Sequence, residues 1–548
     1  MAHLFEIPEL LCLVCEHAQR PDLARLLTTS RRFFECATPV VWRVLPASAP
    51  RILLGLLPDA DSHPHVNLSL IIAEDLIRDL QPLDAQSVVR FNIYAAHVRR
   101  VTRSQTRQSN IAWNTLLKLI DARPILPNLQ SLRVSLAVLD RYIRRISVQV
   151  SILSIEPYLS PDLVEIDSTH DSDRYYYMEP QTLTQLVSRI AQVCPRLGSL
   201  KLSYSTGCTD VGHTGDLSQL ASSLGRLHNL RAVRLGFVIL DPEVLVALGS
   251  LPNLESLSVN ESFTHRPWPG SDEALKIPSA PLPDTSFPSL WHLGINLNDG
   301  FELVHYIWGI TALVRRLTSV SMHVFGGVTC TQICDFVSAI RKSSPLVTGL
   351  YIDCTKSLPI ALFSPEVIGS LTQLPLQRLR LSGKDTPNNQ GGGDHRLRLE
   401  FPSMEFLQIR GYALSFRDLA FIAEHMPKLQ QLLVPVKLDV NWPSKHELHP
   451  LNLTPSLSQI RFHFLSAGTT QRNSTVASSE IPQEEIEAIA AGLHALWPSC
   501  VACVAYQNLR KDPKVSWTGR VNAELERLRE VDGLDNTRTD IVPTYFSK

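Results

Sequence analysis

The sequence has almost no net charge: 52 Lys and Arg stand against 53 Asp and Glu in 548 residues, a formal charge of -1. A chain so balanced lacks the positive excess by which proteins coat nucleic acids or anionic membranes, so neither is an expected partner. No window approaches the eighteen or more uninterrupted apolar residues of a membrane helix. The opening MAHLFEIPELLCLVCEH has no basic leader, and Glu6, Glu9 and Glu16 break its apolar run. It does not read as a signal peptide. An intracellular location, cytoplasm or nucleus, is the expectation, with the ten cysteines as thiols.

Catalytic motifs are equally scarce. GxSxG is absent, and Gly391-Gly392-Gly393 lacks the Gly-Lys-Ser/Thr ending of a phosphate-cradling loop. His446-Glu447-Leu448-His449 is one residue too short for HExxH, so its histidines would not share a helix face. Cys12 and Cys15 (near His17), and Cys500 and Cys503, have CxxC spacing. Both pairs lie in apolar periodic segments, where cysteine behaves as a small buried hydrophobe. Cys330 and Cys334, one helical turn apart, read the same way. The expectation is a protein with no catalytic residues, no metal and no cofactor; a thiol or zinc enzyme would instead show bound metal or a reactive, low-pKa cysteine.

What the chain does have is leucine, about 15% of its residues. At 44% hydrophobic and 19% charged residues, the composition is that of a folded chain. Segments of the form small/Pro-x-Leu-x-x-Leu-x-Leu recur: LPNLQSLRV, CPRLGSLKL, LHNLRAVRL, LPNLESLSV, FPSLWHLGI, LPLQRLRL, FPSMEFLQI, MPKLQQLLV and weaker copies. About 12 copies begin between residues 129 and 457, at a mean period of about 30 residues. That length accommodates a strand and a returning helix. Asp241, Ser364 and Ser415 stand as helix caps between copies. Parallel strands joined by wider helices bend, which predicts a curved solenoid with the sheet inside and the helices outside.

Over roughly residues 120 to 505 the chain thus resembles leucine-rich-repeat proteins. Only Asn298 fills the asparagine position eight residues after a first leucine, so the asparagine ladder of regular repeats is missing. After Ser466–Ser479, which reads as an exposed loop, Ile486, Ile489, Ala490, Leu493, Leu496 and Trp497 share one helical face. Val501–Ala505 reads as a closing strand, and the charged stretch from Asn522 to Glu530 as a solvated tail helix.

The first 45 residues follow another pattern. Ile7, Leu10, Leu11 and Val14 have helical spacing, and Asp22 reads as the cap of a second helix carrying Leu23, Leu26 and Leu27. So small a segment buries too little to stand alone and should dock on something. One reading is a cap for the solenoid. The other follows from residue order: Ile7-Pro8-Glu9-Leu10-Leu11, Asp22-Leu23-Ala24-Arg25-Leu26, Ser30-Arg31-Arg32-Phe33 and Val41-Trp42-Arg43-Val44-Leu45. In that order the segment resembles an F-box, departing only where Cys12 and Cys15 replace larger aliphatics.

The resemblance implies the substrate-recruiting subunit of an SCF-type cullin-RING ubiquitin ligase. Its partners would be the adaptor subunit, through it a cullin, and a target protein held by the repeats. Ile7, Pro8, Leu10, Leu11, Val14, Leu23, Leu26, Phe33 and Trp42 would form the adaptor-binding surface or hold it in shape. A leucine-rich scaffold or regulator unconnected with ubiquitin is the alternative.

The whole chain is thus expected to be α/β, divided into an F-box-like trihelical module at 1–46, a helical connector and N-terminal cap at 47–120, the leucine-rich-repeat solenoid at 121–466, a flexible loop at 467–482, and a C-terminal cap and tail at 483–548. Alternate strand residues should face the concavity: Arg133, Lys201, Arg234, Arg378, Arg380, Arg410 and Arg461, against Glu165, Asp167 and Asp353. Seven bases against three acids favour an acidic or phosphorylated target. Otherwise these are ordinary solvated strand residues.

Overall fold

A computed structural model describes residues 7–46, 48–58, 81–104, 107–120, 124–135, 148–149, 155–168, 176–177, 180–202, 217–260, 282–297, 301–325, 328–354, 362–383, 398–436, 442–443, 448, 460–465, 482–498, 502–505 and 517–531. Asn298, Gly391–Gly393, His446, His449, Cys500 and the predicted 467–482 loop, but for its last residue, lie outside them. The chain divides into two compact units, Met1–Leu290 and Trp291–Lys548.

The first unit opens with three helices, α1 Pro8–His17, α2 Arg20–Leu26 and α3 Arg31–Trp42, packed around Leu11, Cys15, Leu23, Cys36 and Ala37. Pro8 sits in the first turn of α1, where its missing N–H is no loss. Ser30 caps α3, its hydroxyl accepting from the Phe33 N–H at 3.3 Å. The second helix begins two residues before the expected cap. Asp22 therefore lies inside its first turn, near the helix dipole's positive end, with Arg25 at 3.5 Å.

A parallel ladder follows directly. Its strands, in spatial order, are β1 Val44–Leu45, β2 Arg100–Ser104, β3 Ser131–Ser135, β5 Glu165–Asp167, β7 Ser199–Lys201, β8 Ala232–Gly236 and β9 Ser256–Asn260, while β4 Val148–Gln149 pairs separately with β6 Tyr176–Tyr177. Helices α4 Ala49–Leu54, α5 Val89–Ala95, α6 Arg107–Leu119, α7 Pro180–Val193, α8 Leu217–Gly225 and α9 Pro242–Gly249 lie between the strands in sequence. The ladder thus starts before the predicted solenoid, and β2 lies within what was expected to be a helical connector.

Neighbouring repeats are tied at one recurring point. Nδ2 of Asn128 donates to the Ala96 carbonyl at 2.8 Å, that of Asn229 to Pro195 at 2.9 Å and that of Asn253 to His228 at 3.1 Å, while the Ser289 hydroxyl donates to Pro252 at 2.6 Å. Each donor stands immediately before the first leucine of its repeat. At these four strand entries the missing asparagine ladder is replaced by a side-chain donor in the turn, which satisfies a carbonyl that the turn leaves without a ladder partner.

In the second unit the spatial order is the sequence order: β10 His292–Leu297, β11 Ser319–Val324, β12 Gly349–Asp353, β13 Arg378–Ser382, β14 Phe406–Arg410, β15 Gln431–Pro435, β16 Arg461–Leu465 and β17 Ala502–Ala505, all parallel. The helices are α10 Glu302–Gly309, α11 Thr311–Val314, α12 Cys330–Ser343, α13 Pro365–Leu371, α14 Phe416–His425, α15 Gln483–Leu496 and α16 Trp517–Val531. Ser364 caps α13, and Ser415 with Asp418 forms a capping box on α14. Alternate strand residues are buried: Val320 and Met322, Leu350 and Ile352, Leu379 and Leu381, Leu407 and Ile409. The tail helix α16 is not wholly solvated. Val521, Leu525 and Leu528 recur at helical spacing, are buried, and pack on α15.

Among the described residues no helix is long and apolar enough to cross a membrane, and no group of three or more His, Cys, Asp or Glu could hold a metal.

Candidate functional site

Two surfaces gather the residues singled out in the sequence. On the trihelical module, α1 divides its apolar side chains between two faces. Leu11 and Cys15 point into the module core, whereas Leu13, Val14 and the preceding Ile7 lie outside, 50%, 44% and 44% exposed. Pro8 is exposed, while Leu10, Leu26, Phe33 and Trp42 are half-buried. Leu11 and Leu23 are thus core residues that shape the module and offer no surface of their own; Leu13, outside the expected set, joins the exposed strip. The inner side of the module meets the first repeats, where the Trp42 ring lies 4.6 Å from that of Tyr94.

Four buried thiols are shifted away from reactivity. Burial pushes Cys36 up to about 11, with Cys12 adding to the shift, and pushes Cys194 and Cys354 up to about 12; Cys15 is raised too. A nucleophilic cysteine needs the opposite shift.

The second surface is the polar side of the sheet, and the two units differ there. In the first, Arg133, Asp167, Lys201 and Arg234 follow one another across β3, β5, β7 and β8. Arg133 stands 3.9 Å from the Asp167 carboxylate, and Nε of Arg234 donates to the side-chain oxygen of Asn260 at 3.1 Å. Glu165 accepts from the Ser131 hydroxyl at 2.9 Å.

In the second unit the register sets Arg380 beside Tyr351 and Gln408, and Ser382 beside Asp353 and Arg410. Arg378 is exposed and Arg380 and Arg410 half-buried, while the leucines between them face inward, so the expected register holds. Arg461 lies further along the sheet on β16, paired in register with Gln431. The Arg380 guanidinium sits 4.7 Å from the centre of the Tyr351 ring. The Tyr351 hydroxyl donates to Asp353 Oδ2 at 2.9 Å, and His323 Nδ1 lies 3.6 Å from the same oxygen. Burial, reinforced by the Asp353 charge, raises the Tyr351 pKa, so this hydroxyl stays a donor at any physiological pH.

At the edge of this face His292 Nδ1 meets the Ser319 hydroxyl at 3.1 Å. Burial pushes its pKa below the ordinary 6.5, so the folded chain holds this proton less tightly than the unfolded chain. Stability from His292 is therefore complete above about pH 6.5 and falls as the pH drops below it. In thermal melts between pH 7.5 and 5.5, His292→Gln should flatten the decline; an unchanged slope would show that His292 is no part of it.

No family model matches the sequence, and no curated protein does. Among solved structures, a complex of Rad7 and Elc1 in yeast is similar over 67% of this chain and 83% of that one, at 15% identity and a TM-score of 0.33. A complex of TLR13 with ssRNA13 is similar over 70% of this chain and 55% of that one, at 13% identity and a TM-score of 0.29. At these levels neither likeness bears on function.

Proposed function

We propose that the chain is the substrate-recruiting F-box subunit of an SCF-type cullin-RING ubiquitin ligase, gripping the adaptor with its trihelical module and a target protein with its repeats. The observation that carries this reading is the division of α1. The four F-box-like steps run over three helices and into β1, and the outward strip of α1, Ile7, Leu13 and Val14, is apolar and left to solvent, while the inner side of the module is used by the repeats. A plain solenoid cap needs the inner side only, and an outer apolar strip is the kind of surface that partners cover. The chain performs no chemistry itself. It raises the effective concentration of the target near the ligase's ubiquitin-charged partner.

The test is gel filtration of the full chain mixed with a recombinant SCF adaptor. The two should co-elute at equal stoichiometry and then take up the cullin; separate elution at micromolar concentration would leave the scaffold reading in place.

A further inference from the structure

The polar face of β12 to β14 holds hydrogen-bond donors that are shut off from water and have nothing to bond to. Gln408 is 2% exposed and Ser382 1% exposed, both on rows that point away from the leucine core. Gln408 Nε2, Ser382 Oγ and Arg380 Nε have no hydrogen-bond partner. Buried polar groups are nearly always paired, so three such atoms on two adjacent strands ask for a common acceptor. Strand geometry confines Arg380, Ser382, Gln408 and Arg410 to a patch roughly 5 Å by 7 Å.

The neighbouring groups decide what kind of acceptor fits. Asp353 accepts from the Tyr351 hydroxyl and lies 3.6 Å from His323 Nδ1. Stacking on Tyr351 uses the face of the Arg380 guanidinium and leaves its in-plane N–H groups to bind. Arg378 and Arg380 bring two positive charges of β13 to the patch. A phosphoryl group carries roughly -1.5 to -2 and three acceptor oxygens with no obligatory donor, whereas a carboxylate offers one charge and two oxygens.

We propose that this patch is a phosphoryl-binding site and that the segment it takes is a phosphorylated peptide. As the target class of the ligase subunit, this rests on the function proposed above; as a site on the sheet, it is tested separately.

The probe is a degenerate nine-residue peptide library with a fixed central phosphoserine, compared with its serine and aspartate counterparts on the immobilised full-length chain. The phosphoserine library should be retained, the other two should not, and millimolar inorganic phosphate should displace it. Gln408→Leu and Ser382→Ala remove donors without changing charge, and each should weaken retention roughly tenfold or more, the range of a hydrogen bond to a charged group. Arg378→Gln, at an exposed position, supplies a variant that leaves the core untouched and should also weaken binding.

Equal retention of the aspartate library, retention indifferent to all three substitutions, or preference for an RNA oligomer over the phosphopeptides would each overturn the proposal. Adaptor co-elution is measured on the same proteins. Its loss with phosphopeptide binding intact would overturn the ligase reading alone, and the reverse pattern the site alone.

Discussion

Adaptor recovery is expected to fall about a hundredfold when Leu13 and Val14 are both replaced by glutamate, with the melting of the repeats unchanged. Each side chain is about half exposed in the free chain and lies off the stripe that fills the module core. Covering a fully exposed large aliphatic side chain is worth about 1.5–3 kcal/mol, so covering the exposed half of two is worth about 1.5–3 kcal/mol together, one to two decades of affinity. Glutamate also sets an uncompensated charge into the interface, adding to the loss. Leu11→Ala is the contrasting variant. It opens a cavity inside the module at a cost of about 2–5 kcal/mol and should lose the adaptor only by unfolding the three helices. Adaptor retained at wild-type level by the double glutamate variant, with the helices intact, would remove the outward strip from the interface.

The second large effect is expected at Gly411, which follows β14 with φ of +86°. A Cβ there would lie 2.6 Å from the carbonyl carbon of Gly383 and closer still to its oxygen. That backbone approach is held by the Gly383 N–H, which donates to the Arg410 carbonyl at 2.8 Å. Gly411→Ala therefore adds the strain of a left-handed residue to a clash with main chain, which cannot swing aside as a side chain can. The ends of β13 and β14 must part, costing about 2–4 kcal/mol. Because Ser382 and Arg410 stand at those ends, the same substitution should abolish phosphopeptide retention even at temperatures where the chain stays folded. Denaturant unfolding and peptide binding of Gly411→Ala test the two halves of the expectation; a midpoint equal to that of the parent chain would contradict the first.

The repeats were legible because leucine spacing alone carries them. A strand that buries alternate residues announces its register, and for β13 and β14 that register placed Arg378, Arg380 and Arg410 outward. The strand β2 was hidden by one residue. Arg103 occupies a core-facing position, paired in register with Val134, and is 4% exposed with its guanidinium over the Tyr158 ring. No periodicity count assigns an arginine to a core. Ser382 and Gln408 were invisible for another reason: neither residue type predicts burial. On α1 the apolar residues go almost all the way round the helix, so composition could not say whether Leu11 or Leu13 faced out.

The ties made by Asn128, Asn229, Asn253 and Ser289 have a consequence for how such a chain changes length. The same bond is made across 25 residues between Asn253 and His228 and across 37 between Ser289 and Pro252. The two ties thus hold although the chain between their partners differs by 12 residues, 37 against 25. Repeat length is thereby free to drift while the tie at the entry turn is kept.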